Sequence, residues 1–164
     1  SHGDHYNPEV FALLNNCGMR HIRGILSDDI PMPDYMDVLQ VSPGKVYELG
    51  IHQKLTTFQS TDLGVAFLIE DRQELFYHAG DLNDWVWEEE NDDYNIEMTA
   101  NYRKEIRALS EALNHREVDV AFVVLDPRQE KDYDRGMCFF LENIPAKKCI
   151  PCITGMIHLL LEDF

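Results

Sequence analysis

From Lys45 onward the chain alternates short apolar runs with polar turns: Val46 to Gly50, Leu55 to Phe58, Val65 to Ile69 and Leu75 to Tyr77. Their spacing and their β-branched and aromatic content predict an antiparallel meander, with Asp71-Arg72-Gln73-Glu74 as the turn between the last two strands. Asn101 to His115 follows another period. Ile106, Leu109, Ala112 and Leu113 share one face while Lys and Arg alternate with Glu on the other, which predicts an amphipathic helix. Val118 to Leu125 is a continuous apolar run, the pattern of a strand covered on both sides, and it ends at Asp126-Pro127-Arg128.

Ahead of the meander, Asn7 to about Cys17 reads as a helix. Asn7-Pro8 supplies the cap and first helical residue, Val10, Phe11, Leu13 and Leu14 the apolar face, and Gly18 the stop. His21 to Leu26 reads as a short strand and Ser27 to Asp29 as a polar loop. Pro31, Pro33 and Pro43-Gly44 mark a loop region expected to carry little regular structure. Ile153 to Leu161 is apolar, and its periodicity does not choose between strand and helix. No repeat, low-complexity tract or linker divides the chain. The expectation is one layered α/β domain over residues 1–164, rich in β-structure.

Composition narrows the function. A chain of 164 residues with 45% hydrophobic content suits a soluble domain with a real core. Its formal charge of −16 opposes a polyanion unless a metal or a local basic patch intervenes, so no nucleic-acid partner is expected. The local run Glu88 to Asp93 reads as a solvated loop. No apolar run reaches the ~20 residues of a membrane span and no signal peptide opens the sequence, so no membrane partner is expected. Four cysteines, unevenly spaced, fit a reduced cytoplasmic protein. Cys149-Ile150-Pro151-Cys152 is formally C-x-x-C. A redox pair of this kind should open a helix after a strand, and a zinc knuckle needs a second pair, so structural thiols are the simpler reading.

Two short motifs carry the candidate chemistry. In Ser1-His2-Gly3-Asp4-His5, two imidazoles and a carboxylate lie close together around a glycine that lets the backbone turn. These are preferred N and O ligands of zinc and its first-row neighbours. His78-Ala79-Gly80-Asp81 lies far downstream, followed by Asn83, Trp85 and Trp87. Either motif alone is compatible with a chance tract or a strand-end histidine. Two Trp at alternate positions are read first as packing one face of a strand and second as a platform for substrate.

In sequence, SHGDHYNPEVF resembles the tail of the H-x-H-x-D-H motif of the metallo-β-lactamase superfamily, and YHAGDLNDWVWEEEN is similar to the H-A-G-D-L-N-x-W-x-W segment of a hydrolase-like branch of it. FQSTDLGVAFLIE and VDVAFVVLDPR resemble two further segments in the same order. The resemblance runs from Ser1 to about Gly136. It implies part of an αβ/βα sandwich with a metal site at the sheet edges, and opening strands that precede Ser1, so that the sequence reads as the C-terminal two-thirds or so of such a domain.

By this resemblance the metal ligands are His2, Asp4, His5 and Asp81. Asp4 doubles as the catalytic group that orients water or takes its proton. One or two Zn ions, or Mn or Fe, are the implied cofactor, activating water against a small ester, lactone or phosphorylated metabolite. His78, Asn83, Ser60, Asp62 and Asp126 are candidates for supporting or substrate-contacting roles. The pattern has departures. The first His of the motif is absent, Ser60 and Asp62 stand where a third-motif His is usual, and Cys152 and Ile153 stand where a late His is expected. These motivate an alternative, a non-catalytic binding protein that keeps the fold. A thiol–redox role for Cys149 and Cys152 is a third reading, and a homo-oligomer is compatible with all three.

Overall fold

Residues 7, 9–19, 22–31 and 37–152 are described by a computed structural model, in which a six-stranded mixed sheet organises the chain. Four antiparallel strands come first, β3 (Val46–Gly50), β4 (Gln53–Gln59), β5 (Val65–Asp71) and β6 (Glu74–His78), each paired with the next. The predicted meander is therefore present, and the turn expected over Asp71 to Glu74 narrows to Arg72-Gln73, because Asp71 and Glu74 pair in the strands. Strand β7 (Val120–Val124) then adds parallel to β6, and β8 (Cys149–Cys152) parallel to β7.

The parallel additions require crossovers, and helices supply them. Helix α2 (Asp92–Leu113) bridges β6 to β7, and α3 (Arg135–Asn143) bridges β7 to β8. Along α2, Tyr102, Ile106, Leu109 and Leu113 form the buried stripe. With Tyr77, Leu68, Val123 and Phe140 they make the main core, on one face of the sheet. Strand β5 shows how the alternation is used: Ala66 and Leu68 enter this core, whereas Val65, Phe67 and Ile69 face the other side. There they meet a small parallel sheet of β1 (Arg23–Ser27) and β2 (Asp37–Val41), through Ile25, Leu39 and Val41. Helix α1 (Glu9–Asn16) lays Phe11 against the bare backbone of Gly24 in β1, where an added Cβ would come within 3.2 Å of the ring.

Three sequence expectations change. Strand β2 lies in the proline-punctuated stretch expected to be irregular; its burial comes from pairing with β1 and packing on β3–β5, which local pattern does not record. Helix α2 starts at Asp92, nine residues before the predicted start. Asn91 caps it by accepting a hydrogen bond from the Tyr94 N–H at 2.9 Å, and Asp92 and Asp93 complement the positive end of its dipole. The acidic run is thus a turn plus a helix start. Residues 149–152 form a strand, so the C-x-x-C pair does not open a helix.

Candidate functional site

Strands β6, β7 and β8 point the same way, so their C-terminal ends lie along one edge of the sheet. The antiparallel β4 ends, and β5 begins, at that same edge. Ser60 and Asp62 follow β4, His78 ends β6, Asp81 and Asn83 follow it, and Asp126 follows β7. Six residues singled out from sequence thus gather at one sheet edge, where α/β proteins commonly place ligand sites.

Gly80 makes the turn that brings Asp81 there. Its φ is +57°, and a Cβ would stand 2.7 Å from the Val65 carbonyl oxygen of β5. Only glycine fits both demands. The Gly80 N–H donates to His78 Nδ1 at 3.0 Å, and the exposed imidazole stacks on Phe122 with ring centroids 5.6 Å apart. That bond places the proton of the neutral ring on Nε2. Asp81 is only 5% exposed. Its backbone carbonyl accepts from the Trp85 indole N–H at 3.0 Å, and Trp85 stacks nearly parallel on Trp87 at 5.8 Å. Both tryptophans lie in a loop, so the reading that they pack one face of a strand does not hold.

Below this loop is a knot of buried polar side chains. Thr61 Oγ1 donates to the Asn83 carbonyl at 2.7 Å and accepts from the Asn83 N–H at 3.0 Å. The Asn83 amide donates to Gln129 Oε1 at 2.8 Å, and Gln129 in turn donates to the Asp84 carbonyl at 2.8 Å. Asp84, 1% exposed, accepts from Thr99 at 2.6 Å and from Arg135 Nε at 2.8 Å. Gly136 of α3 approaches so closely that an added Cβ would collide with Asn83 Oδ1 and stand 3.1 Å from the Asp84 N–H. Groups buried this deeply are tolerated because each is hydrogen-bonded. Asn83 is accordingly a fixture of the scaffold. Thr61, Asp84, Thr99, Gln129 and Arg135 were not singled out from sequence; no short-range signal joins residues up to 51 positions apart.

The remaining candidates also have local tasks. Ser60 Oγ accepts from the Asp62 N–H at 3.1 Å, stiffening the turn and leaving the Asp62 side chain exposed. Asp126 is fully buried; it accepts from the Arg128 N–H at 2.9 Å and pairs with the Arg128 guanidinium, capping a 3-10 turn over Pro127–Asp132. Within that turn Glu130 holds a φ of +50° between buried Gln129 and exposed Lys131.

His2, Asp4 and His5 lie outside the described residues, so Asp81 alone represents the expected ligand set in the fold. Among the described residues no group of three or more His, Cys, Asp and Glu is placed to hold a metal ion. Burial pushes the Cys149 and Cys152 thiols up from their ordinary value, with a further contribution from Cys152 at Cys149. A redox thiol needs the opposite shift. No described helix is long and apolar enough to cross a membrane.

No protein-family model matches the chain, and no curated protein matches it significantly. Fold and site define it as an α/β protein with a mixed sheet and a polar site at the C-terminal ends of its parallel strands.

Proposed function

We propose that this chain is part of a metal-dependent hydrolase with a metallo-β-lactamase-like αβ/βα sandwich, acting on a small ester, lactone or phosphorylated metabolite. One observation carries the reading. The Asp81 carboxylate is buried at the end of β6, on a turn that only glycine can make, in the same edge as His78 and Asp126. The donor set His2, Asp4, His5 and Asp81 is nitrogen and oxygen only, which suits Zn, Mn or Fe.

In this proposal those four residues hold one or two ions. A divalent ion bound there supplies a Lewis acid and a water acidic enough to attack at neutral pH. With such an ion bound, Asp4 would orient the water or take its proton, as the resemblance implies. Gly80, Thr61 and Trp85 keep the Asp81 loop in place through the contacts described above, and Gln129 does so through Asn83. His78, at the same strand end and with Nδ1 engaged by the Gly80 N–H, is the candidate for a supporting or substrate-contacting role.

Elemental analysis of protein purified without chelator tests the proposal, with Asp81→Ala alongside. About one to two equivalents of Zn, Mn or Fe, lost in the variant, is the expected result. A specific observation favours the second reading, a non-catalytic relative: the Ser60 hydroxyl is engaged by the Asp62 N–H and stands where a ligand His is usual. Absence of metal from both proteins would select it.

A further inference from the structure

The side of α2 that faces Val86 and residues 131–135 carries a second candidate site, which adjoins the polar knot through Thr99 and Arg135. A groove of about 740 Å³ runs along its first four turns, bounded by Val86 and by Lys131, Asp132 and Arg135. This lies within the size range of small-molecule sites, roughly 300–1,000 Å³. Asp92, Asn95, Ile96, Thr99, Ala100, Arg103 and Arg107 recur along the helix every three or four residues and form one wall.

The lining holds four cations and two anions, in a chain whose total charge is −16. Arg135 is held by Asp84 and Asp132, and Lys131 by Glu88. Asn95 turns its side chain to Trp87, and Thr99 its hydroxyl to Asp84. Arg103 and Arg107 take part in none of these pairs, although the protein offers carboxylates in excess. They stand one helical turn apart, and the Arg103 guanidinium lies over the Phe139 ring at 5.0 Å. Of the two lining acids, Asp132 is paired with Arg135, and Asp92 stands at the far end of the groove, at the helix start.

Two guanidiniums one helical turn apart on one wall suit a tetrahedral oxyanion, because each fork can grip two oxygens. Beside them Ile96 is 66% exposed, and Val86 and Ala100 continue an apolar strip able to receive an organic body. We infer that this groove binds a phosphorylated small molecule, with the phosphoryl group between Arg103 and Arg107 and the body along Ile96. The proposal does not depend on the hydrolase reading, because the groove shares no residue with the metal set.

Isothermal titration with inorganic pyrophosphate, at about 50 mM salt and with chelator present, tests the phosphoryl position. The expected result is binding that weakens at least tenfold in the Arg103→Gln/Arg107→Gln double variant, and at least several-fold when salt is raised to about 300 mM. Both arginines are exposed, so circular dichroism should show an unchanged fold. Asp81→Ala should retain binding. No heat up to about 10 mM pyrophosphate, undiminished binding in the double variant, or loss of binding in Asp81→Ala would each overturn the proposal. Citrate serves as the carboxylate comparison; citrate binding tighter than pyrophosphate would overturn the phosphoryl assignment.

Discussion

The two edges of the six-stranded sheet are both rich in charged and polar groups, but they use them differently. At the edge bearing Asp81, the carboxylates of Asp81, Asp84 and Asp126 are at most 5% exposed. At the opposite edge, Glu70 meets Arg116 in a bidentate pair at 2.6 and 3.0 Å, joined by Lys54 at 3.2 Å, and Asp119 meets Lys147 at 2.6 Å. There the carboxylates of Glu70 and Asp119 are 20 and 22% exposed and their cations 41–56%. Exposed pairs bring little stability because water competes for both charges. Buried ones hold geometry, and removing one partner strands the other. The Asp81 edge has the character of a shaped site, and the opposite edge that of a solvated rim.

The comparison can be broken most forcefully at Gly80. Gly80→Ala combines an unfavourable φ with a 2.7 Å clash against the Val65 carbonyl, and a loss of about 3 kcal/mol or more is expected in urea unfolding. A change within about 0.5 kcal/mol would show that the turn relaxes freely. Next is Arg135→Ala, which leaves the Asp84 carboxylate buried without its cation; about 3 kcal/mol is expected. Arg116→Ala at the solvated edge should cost only about 1 kcal/mol. Comparable losses from the two arginine variants would erase the distinction between the edges.

Titration sharpens the same contrast. The Arg116 hydrogen bond, with Lys54 behind it, holds the Glu70 carboxyl down at about 2 against an ordinary 4.5. A depressed carboxyl stabilises the fold above its ordinary value, and that contribution fades as pH falls from about 4.5 towards 2. Solvent screening reduces it to about 1 kcal/mol. Glu70→Gln should therefore flatten the stability profile across that window, and an unchanged slope would assign the acid sensitivity elsewhere. The smallest effect concerns reactivity. Cys149 and Cys152 are pushed up by burial, so a thiol-directed reagent should modify them slowly near pH 7 and faster as pH rises. Rapid modification at pH 7 would revive the redox reading.

The elements that depend on local pattern were legible. The meander shows in β5, where alternate residues enter two different cores, and the stripe of Ile106, Leu109 and Leu113 announces α2. The candidate edge was partly legible, because short motifs named Ser60, Asp62, His78, Asp81, Asn83 and Asp126, and strand direction brings their positions together. Their roles were less so. Asn83 and Ser60 are taken up by local hydrogen bonds, and Gln129 and Arg135, which hold the loop, carry no motif.

Taken alone, the sequence determined the identity and order of most strands, the polarity of the faces of α2 and the residue types available for chemistry, because all of these follow from side-chain period and composition. The tertiary structure alone decided that β7 and β8 add in parallel, that 37–41 pairs with 23–27, and that Asp84 lies buried against Arg135. Those outcomes depend on contacts between residues distant in the chain, and on which polar groups can be satisfied once water has been removed from around them.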